Sequence, residues 1–280
     1  MNKKIKINFC DWWAGFNPID NYFYNILKEE FDIEISSNPD YLFYSVFGNS
    51  HQNFRGTKIS YIGENIAPIF KDQTPHGADW SFSFDYLDDT RNYRLPHYLL
   101  YPGYYDLVNK QVDENLVNRK FCSFVVSNGN CKLRNEFFIK LSKYKKVDSG
   151  GKFMCNLISP IVNKRDFQAQ YKFSITYENG AYRGEQIGYS TEKIMESMVV
   201  NSIPIYRGNP KIDLEFNKKS FISYYDFKND DDMIDYIIYL DQNDNEYMKV
   251  MKQPWFPNNN QIPDNNKLEN IKSFLYKIFE

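Results

Sequence analysis

The chain opens on a strict alternation, Lys4-Ile5-Lys6-Ile7-Asn8-Phe9, whose period of two predicts a β-strand with one apolar face. A helix is expected over residues 22–30, and residues 40–47 and 58–62 read as further short strands broken by Gly48 and Gly63. Strand and helix in alternation are the mark of a mainly parallel sheet, so the fold class is α/β. A polar stretch over 106–119 interrupts this pattern, and the apolar run at 121–126 restarts it. The second series comprises a strand at 121–126, a helix at about 132–143 and strands near 145–147 and 172–177. A helix at 191–200, a strand at 203–206 and a helix at 233–240 complete it. Pro254, Pro257 and Pro263, with Asn258, Asn259 and Asn260 among them, form a link to a last helix over 267–279. In that helix Ile271, Phe274, Leu275 and Ile278 recur at three- and four-residue steps, one apolar stripe suited to docking on a domain. The expected domains are therefore 1–118 and 119–260, with 261–280 packing back on them.

Composition supports two cores, because 280 residues with 42% hydrophobic content suffice for two domains of ordinary size. The 23 tyrosines and 23 phenylalanines point first to aromatic core packing, with some rings left to line a carbohydrate site. A net charge of only −2 provides no broad basic field, which excludes nucleic acid and other bulk polyanions as expected partners. Cys10, Cys122 and Cys131 lie in or beside apolar runs and Cys155 stands alone, without metal-ligand spacing; reduced thiols in a cytoplasm are expected. Lysines at the start lead directly into Phe9-Cys10-Asp11-Trp12-Trp13 without a signal core, and no run approaches the roughly 18 apolar residues that span a bilayer. The expected location is cytoplasmic, at most peripheral to the inner face of a membrane.

Chemistry concentrates between Tyr171 and Gly208, where an apolar strand reaches Tyr177-Glu178-Asn179 and a polar loop leads to Tyr189-Ser190-Thr191-Glu192-Lys193 at a helix start. Strand carboxyl ends and helix N-termini converge at such junctions, which is where open α/β sheets hold nucleotides. A lysine in the first helical turn opposes the helix dipole, so Lys193 makes sense opposite an anion such as a diphosphate. Glu178 and Asn179 can hold hydroxyls of a ribose or sugar; equally, Glu178 can pair with Arg183 or Lys193.

This ordered set resembles the α1,3-fucosyltransferase family, whose signature is Glu-Asn, a loop, Tyr-x-Thr-Glu-Lys, a helix and a Val/Ile-Pro-Ile/Val-x-x-Gly strand. Here these are Glu178-Asn179, Tyr189-Ser190-Thr191-Glu192-Lys193 and Ile203-Pro204-Ile205-Tyr206-Arg207-Gly208. Upstream, Ser127-Asn128 with Arg134, the Gly63-Glu64-Asn65-Ile66-Ala67-Pro68 element, Arg94-Leu95-Pro96 and Asp11-Trp12-Trp13 are similar to family segments, so the likeness runs from about residue 5 to 280. It implies a GT-B architecture, two Rossmann-like domains facing a cleft, that transfers L-fucose from GDP-fucose with inversion. It further implies Glu64 as general base, Arg134 and Lys193 on the diphosphate, and Tyr189, Asn179, Glu178, Glu192, Ser127 and Asn128 around the rest of the donor. Trp12, Trp13 and Asp11 are expected to flank the acceptor, or the tryptophans to be core. The family favours the 3-hydroxyl of N-acetylglucosamine in an oligosaccharide or glycolipid, giving Lewis x-type products; the linkage, α1,3 or α1,4, stays open.

No cofactor and no metal are expected, since the two cations already offset the leaving charge. Asp230-Asp231-Asp232 and Asp88-Asp89 could imitate a metal-binding acidic motif, but the first triplet reads as a helix start. His51, His76 and His97 are scattered in polar contexts, and Gly150-Gly151-Lys152 reads as a connecting turn. The loop at 180–188 is longer than in most relatives and has Gly180 where they carry serine, which leaves donor-loop geometry and acceptor choice open. The heptad repeats and basic tail of bacterial relatives do not precede Glu280, so repeat-mediated dimerisation and tail-mediated membrane contact are not carried over, and the oligomeric state is open. The alternatives are a glycosyltransferase of the same architecture with another sugar nucleotide or acceptor, and a non-catalytic carbohydrate-binding protein.

Overall fold

The computed structural model describes residues 3–65, 77–179 and 187–280. Ile66, Ala67 and Pro68 of the Gly-Glu-Asn element, and residues 180–186 of the long loop with Arg183, lie outside them. The chain divides into two compact units, the first made of residues 1–100 and 264–280, the second of 101–263.

In the first unit, strands β1 (Lys4–Cys10), β2 (Asp32–Ile35), β3 (Tyr41–Tyr44), β4 (Thr57–Ile62), β5 (Trp80–Ser83) and β6 (Asn92–Arg94) form one six-stranded sheet in the order β2-β1-β3-β4-β5-β6. Every pairing is parallel. The opening alternation has its predicted effect, with Ile5 and Ile7 buried while Lys4 and Lys6 face solvent. Helix α1 (Tyr22–Leu27) starts at Asn21, whose side chain accepts from the Tyr24 N–H, and buries Phe23, Ile26 and Leu27. The last helix of the chain, Leu268–Lys277, belongs to this unit: Ile271 and Leu275 are fully buried, and Phe274 packs edge-on against Trp80 and Phe82.

The second unit carries β7 (Lys120–Phe124), β8 (Val147–Ser149), β9 (Tyr171–Ile175), β10 (Ile203–Tyr206) and β11 (Ile222–Ser223), all parallel, in the order β11-β10-β9-β7-β8. Its helices are α2 (Lys132–Leu141), α3 (Lys164–Gln168), α4 (Glu192–Val199), α5 (Asp230–Gln242) and α6 (Asp244–Met251); the Leu268–Lys277 helix is α7. On α4, Ile194, Met195 and Met198 are fully buried, the face its spacing assigns to the sheet.

The boundary differs from the expected 118/119. Residues 101–118 are polar in composition but fold as two 3-10 turns, Tyr105–Asn109 and Glu114–Asn118, within the second unit. Tyr104, fully buried against Phe216 and Phe256, is their anchor, and Lys110 lies 3.2 Å above the Trp255 ring while donating to the Gln253 carbonyl. Three buried apolar residues, Tyr104, Leu107 and Leu116, outweigh the charges between them.

Candidate functional site

Counted from β7, the second sheet runs 2-1-3-4-5, so the chain leaves β7 toward one edge for β8 and toward the other for β9. The loops after β7 and β9 therefore part, and the crevice between them is the place where doubly wound sheets take ligands. The residues expected on the donor side lie on the elements and loops around it.

Beyond β9 the backbone keeps pairing with β10 and its extension: the Thr176 N–H donates to the Ile205 carbonyl and that of Glu178 to the Arg207 carbonyl, both at 2.8 Å. Residue 208 must be glycine here, because a Cβ would lie 2.5 Å from the Glu178 Cγ and 2.6 Å from the Tyr206 hydroxyl. The Glu178 side chain, fully buried, turns toward the start of α4. Its Oε1 accepts from the Thr191 N–H and its Oε2 from the Thr191 hydroxyl, each at 2.7 Å, and Lys193 Nζ stands 3.2 Å from Oε2. Lys193 also donates to Thr191 Oγ1 at 2.8 Å. Of the two sequence readings of Glu178, the structure displays the ion pair with Lys193.

Thr191 occupies the N-cap position of α4, yet its hydroxyl serves Glu178 and makes no cap bond to the helix. The first amides of α4 therefore keep their capacity for an anion, next to an ammonium already fixed in place. Burial works against the charge of Lys193, but Glu178 and Glu192 outweigh it and raise its pKa, so the amine is protonated. Glu192 lies between two lysines, its Oε1 at 3.6 Å from Lys164 and 3.8 Å from Lys193.

From the other side, α2 brings Arg134, 2% exposed, into the crevice. Its Nη2 donates to the Asn128 carbonyl at 2.5 Å and reaches Asn179 Oδ1 at 3.4 Å, so one guanidinium joins the loop after β7 to the end of β9. Its Nε is buried and, among the described residues, has no hydrogen-bond partner, the mark of a donor held for something else. Burial lowers its pKa from the ordinary arginine value, countered by Cys131, Glu178 and Tyr189. Tyr189 is buried, whereas Ser127 and Asn128 are exposed at the end of β7, and the neighbouring Asn135 side chain donates to the Gly129 carbonyl at 2.7 Å. Arg134, Lys193, Asn179, Asn128 and the amino end of α4 thus surround one crevice, with Glu178 as the internal strut.

In the first unit Glu64 follows β4 and is exposed. The acceptor trio separates. Trp12 is half-buried, stacked on Phe16 at 4.3 Å between ring centroids and on Tyr61 at 5.7 Å. The Asp11 carboxylate is taken up by His51 and by backbone amides. Of the three, Trp13 is the exposed one, at 40%. His51 escaped the sequence reading, because its partner lies 40 positions away and only the parallel pairing of β1 with β3 brings their ends together.

The acidic runs have other partners. Asp230–Asp232 open α5, where the Asn229 side chain caps the Asp231 and Asp232 amides and Lys140 pairs with Asp230 and Asp231; Asp89 pairs with Arg91. Among the described residues no group of three or more His, Cys, Asp or Glu could hold a metal ion. Nor is any helix among them long and apolar enough to cross a membrane.

Comparison with known proteins places this arrangement. Residues 7–101 match the model of the alpha-(1,3)-fucosyltransferase FucT N-terminal domain, and residues 117–263 that of the glycosyltransferase family 10 (fucosyltransferase) C-terminal region. The alpha-(1,3)-fucosyltransferase FucT of Helicobacter pylori is 32% identical over 297 aligned positions, which cover 88% of this chain and 59% of that protein. A putative fucosyltransferase, R654, of Acanthamoeba polyphaga mimivirus is 33% identical over 174 positions, 57% of this chain and 28% of the relative. The chain thus spans less than two thirds of the length of these curated relatives. A crystal structure of an alpha1,3-fucosyltransferase with GDP-fucose superposes with a TM-score of 0.81 at 29% identity, covering 100% of this chain and 91% of that one. With both units matched in order and the second match alone spanning over half of its length, the chain belongs to glycosyltransferase family 10, the fucosyltransferases.

Proposed function

We propose that the protein is an inverting α1,3-fucosyltransferase that moves L-fucose from GDP-fucose to a hydroxyl of an N-acetylglucosamine-containing glycan, with a Lewis x-type product. The observation that carries this reading is the pair of fixed cations, Arg134 with an unused Nε and Lys193 at an uncapped helix start, at the switch point of the second unit. Two cations and helix amides suit a diphosphate, which a carbohydrate-binding protein has no need to hold.

In the proposed reaction the acceptor hydroxyl oxygen attacks the anomeric carbon of fucose while the bond from that carbon to the β-phosphate oxygen breaks, with inversion. Glu64 takes the hydroxyl proton. The electron pair leaves with GDP, and Arg134 and Lys193 stabilise the charge that develops on it. Arg134 can contact two phosphate oxygens with its planar fork, whereas Lys193 supplies a point charge whose place is set by Glu178. Tyr189, Asn179, Glu192, Ser127 and Asn128 complete the donor site, and Glu178 acts through Thr191 and Lys193.

No metal is assigned a part, so full transfer in excess chelator is expected; complete loss restored by Mn²⁺ contradicts that assignment. The reading as a whole is tested by calorimetric titration with GDP. Binding that weakens at least tenfold in both Arg134→Ala and Lys193→Ala supports it, and wild-type affinity in both removes the phosphate site.

A further inference from the structure

We infer that Asn209 is a positioning residue of the donor site: from beyond the end of β10 it pins the Gly188 amide and so sets the place of Tyr189, the next residue along the chain. The inference rests on the function proposed above in taking Tyr189 as a donor residue.

The segment that enters α4, residues 188–191, is held at two points. At its far end the Glu178 carboxylate takes both the N–H and the hydroxyl of Thr191. At its near end the Gly188 N–H donates to Asn209 Oδ1 at 2.8 Å. The two pins come from paired strands, Glu178 beyond β9 and Asn209 beyond β10, and the bond from the Glu178 N–H to the Arg207 carbonyl ties those ends together. Between the pins Tyr189 and Ser190 are buried. Tyr189 is among the groups that counter the effect of burial on the Arg134 pKa, which places it near the guanidinium. Gly188 has a φ of 97°, in the left-handed region, so the turn into Tyr189 is one that a glycine makes without strain.

The surroundings of Asn209 make it a firm support. Its own N–H donates to the Tyr206 hydroxyl at 2.8 Å, and its Nδ2 reaches Glu215 Oε1 at 3.4 Å; Tyr206 and Glu215 are themselves buried. Oδ1 also accepts from the Lys211 N–H at 3.1 Å, an Asx turn that orients the side chain toward its task. A carbonyl oxygen has two acceptor sites, and the amides of Gly188 and Lys211 use them. An asparagine needed only for such a turn can stay at the surface: Asn17 makes the same turn with the Ile19 N–H at 3.1 Å and is exposed. Asn209 differs in being 0% exposed and in serving a second amide 21 positions away.

Gly188 is the last residue of the 180–188 loop, so the place of Tyr189 is set from the end of β10 and does not depend on the extra length of that loop. Asn209 lies one position past the Ile203–Gly208 signature, which is why the motif did not point to it.

The test is calorimetric titration with GDP at 10 °C, with the fold of each sample checked by circular dichroism. Asn209→Ala, which removes the Oδ1 acceptor from the Gly188 amide, is expected to weaken GDP binding about tenfold. Exchange of the two polar partners, Asn209→Asp together with Glu215→Gln, keeps an acceptor for Gly188 and reverses the polarity of the link between 209 and 215. Affinity in that variant is expected to stay within about threefold of wild type. Tyr189→Ala is expected to weaken binding about tenfold as well, and adding Asn209→Ala to it to cost no more than about a further twofold, because the pin acts through a ring already removed. Independent structural damage would instead multiply the two losses to about a hundredfold. Wild-type affinity in Asn209→Ala, or multiplied losses in the double variant, overturns the inference. Hydrogen exchange of the Gly188 amide in the wild-type chain needs no variant: strong protection is expected without GDP, and exchange at the rate of an open amide overturns the pin. Failure of the wild type to bind GDP contradicts the transferase reading instead, and the Gly188 exchange then still decides the hold of Asn209 on this segment.

Discussion

At the scale of the residue, the charges around the crevice of the second unit form a chain: Glu178 holds Thr191 and Lys193, and Lys193 stands beside Glu192, which neighbours Lys164. Residue type alone pointed to Glu178 as a possible sugar ligand, but its burial commits both oxygens to protein groups. Sequence could not decide between these uses, because the direction of a side chain at a strand end depends on the glycine opposite, at 208. Glu64, the general base of the proposed reaction, is exposed, so its replacement is expected to spare the core. Glu64→Gln is expected to lower kcat by about 10²–10⁴ with GDP affinity unchanged, as steady-state rates and calorimetry will show. In the first unit, burial on its own would raise the Asp11 pKa, but the amides of His51 and Ser50, the His51 ring and the Cys10 thiol together bring it down to about 2. Burial, and after it the same carboxylate, push the Cys10 thiol up to about 12, which keeps it protonated and unreactive. Because the folded-state value of Asp11 lies below the ordinary 3.8, its contribution is fully present above pH 4 and is lost as the pH falls through 2. Urea melts should therefore show Asp11→Asn less stable by about 2 kcal/mol at pH 7, with the difference shrinking between pH 4 and pH 2. A constant difference across that range counts against a charged Asp11 as the anchor.

Among the elements, the junction from β9 to α4 is where local sequence and tertiary structure agree best. Strand β10 has the bounds its apolar run predicts, and α4 has the buried face its spacing predicts. Short or half-exposed strands were harder to see. β2, β5 and β6 have four, four and three residues, too few for a period of two to stand out, and β8 begins at Val147, where the expected strand ended. Helix α6 follows α5 with a single residue, Asn243, between them, so one polar run concealed two helices. The anchoring of α4 by Glu178 can be measured. Glu178→Ala removes the carboxylate from Thr191 and leaves the ammonium of Lys193 without its nearer carboxylate, a change expected to cost about 3–5 kcal/mol in denaturant melts. GDP affinity should fall as well, since the amino end of α4 loses its strut. A loss under 1 kcal/mol would show that Thr191 and Lys193 are held by other means.

For the whole molecule, the sequence displayed two α/β series and their order but not the route of the chain between them. The polar 101–118 stretch looked like a linker, yet Tyr104, Leu107 and Leu116 give it a buried face in the second unit. The last helix was legible as an amphipathic stripe, but no local signal says which core it completes; it completes the first. Leu275→Ala, at a fully buried position of α7, is therefore expected to destabilise the first unit by about 2–5 kcal/mol. GDP affinity, which the proposed function assigns to the second unit, should stay at the wild-type level at 10 °C; joint loss of both would contradict this independence. Family membership and the donor-side cations leave the acceptor to be established directly. The decisive measurement is incubation of the protein with GDP-fucose and N-acetyllactosamine, followed by NMR of the product linkage. One new fucose, α-linked to the 3-hydroxyl of N-acetylglucosamine, is expected, with loss of that product in Glu64→Gln; a fucose of retained configuration, or GDP-fucose left unconsumed with this and every other N-acetylglucosamine glycan offered, contradicts the proposed function.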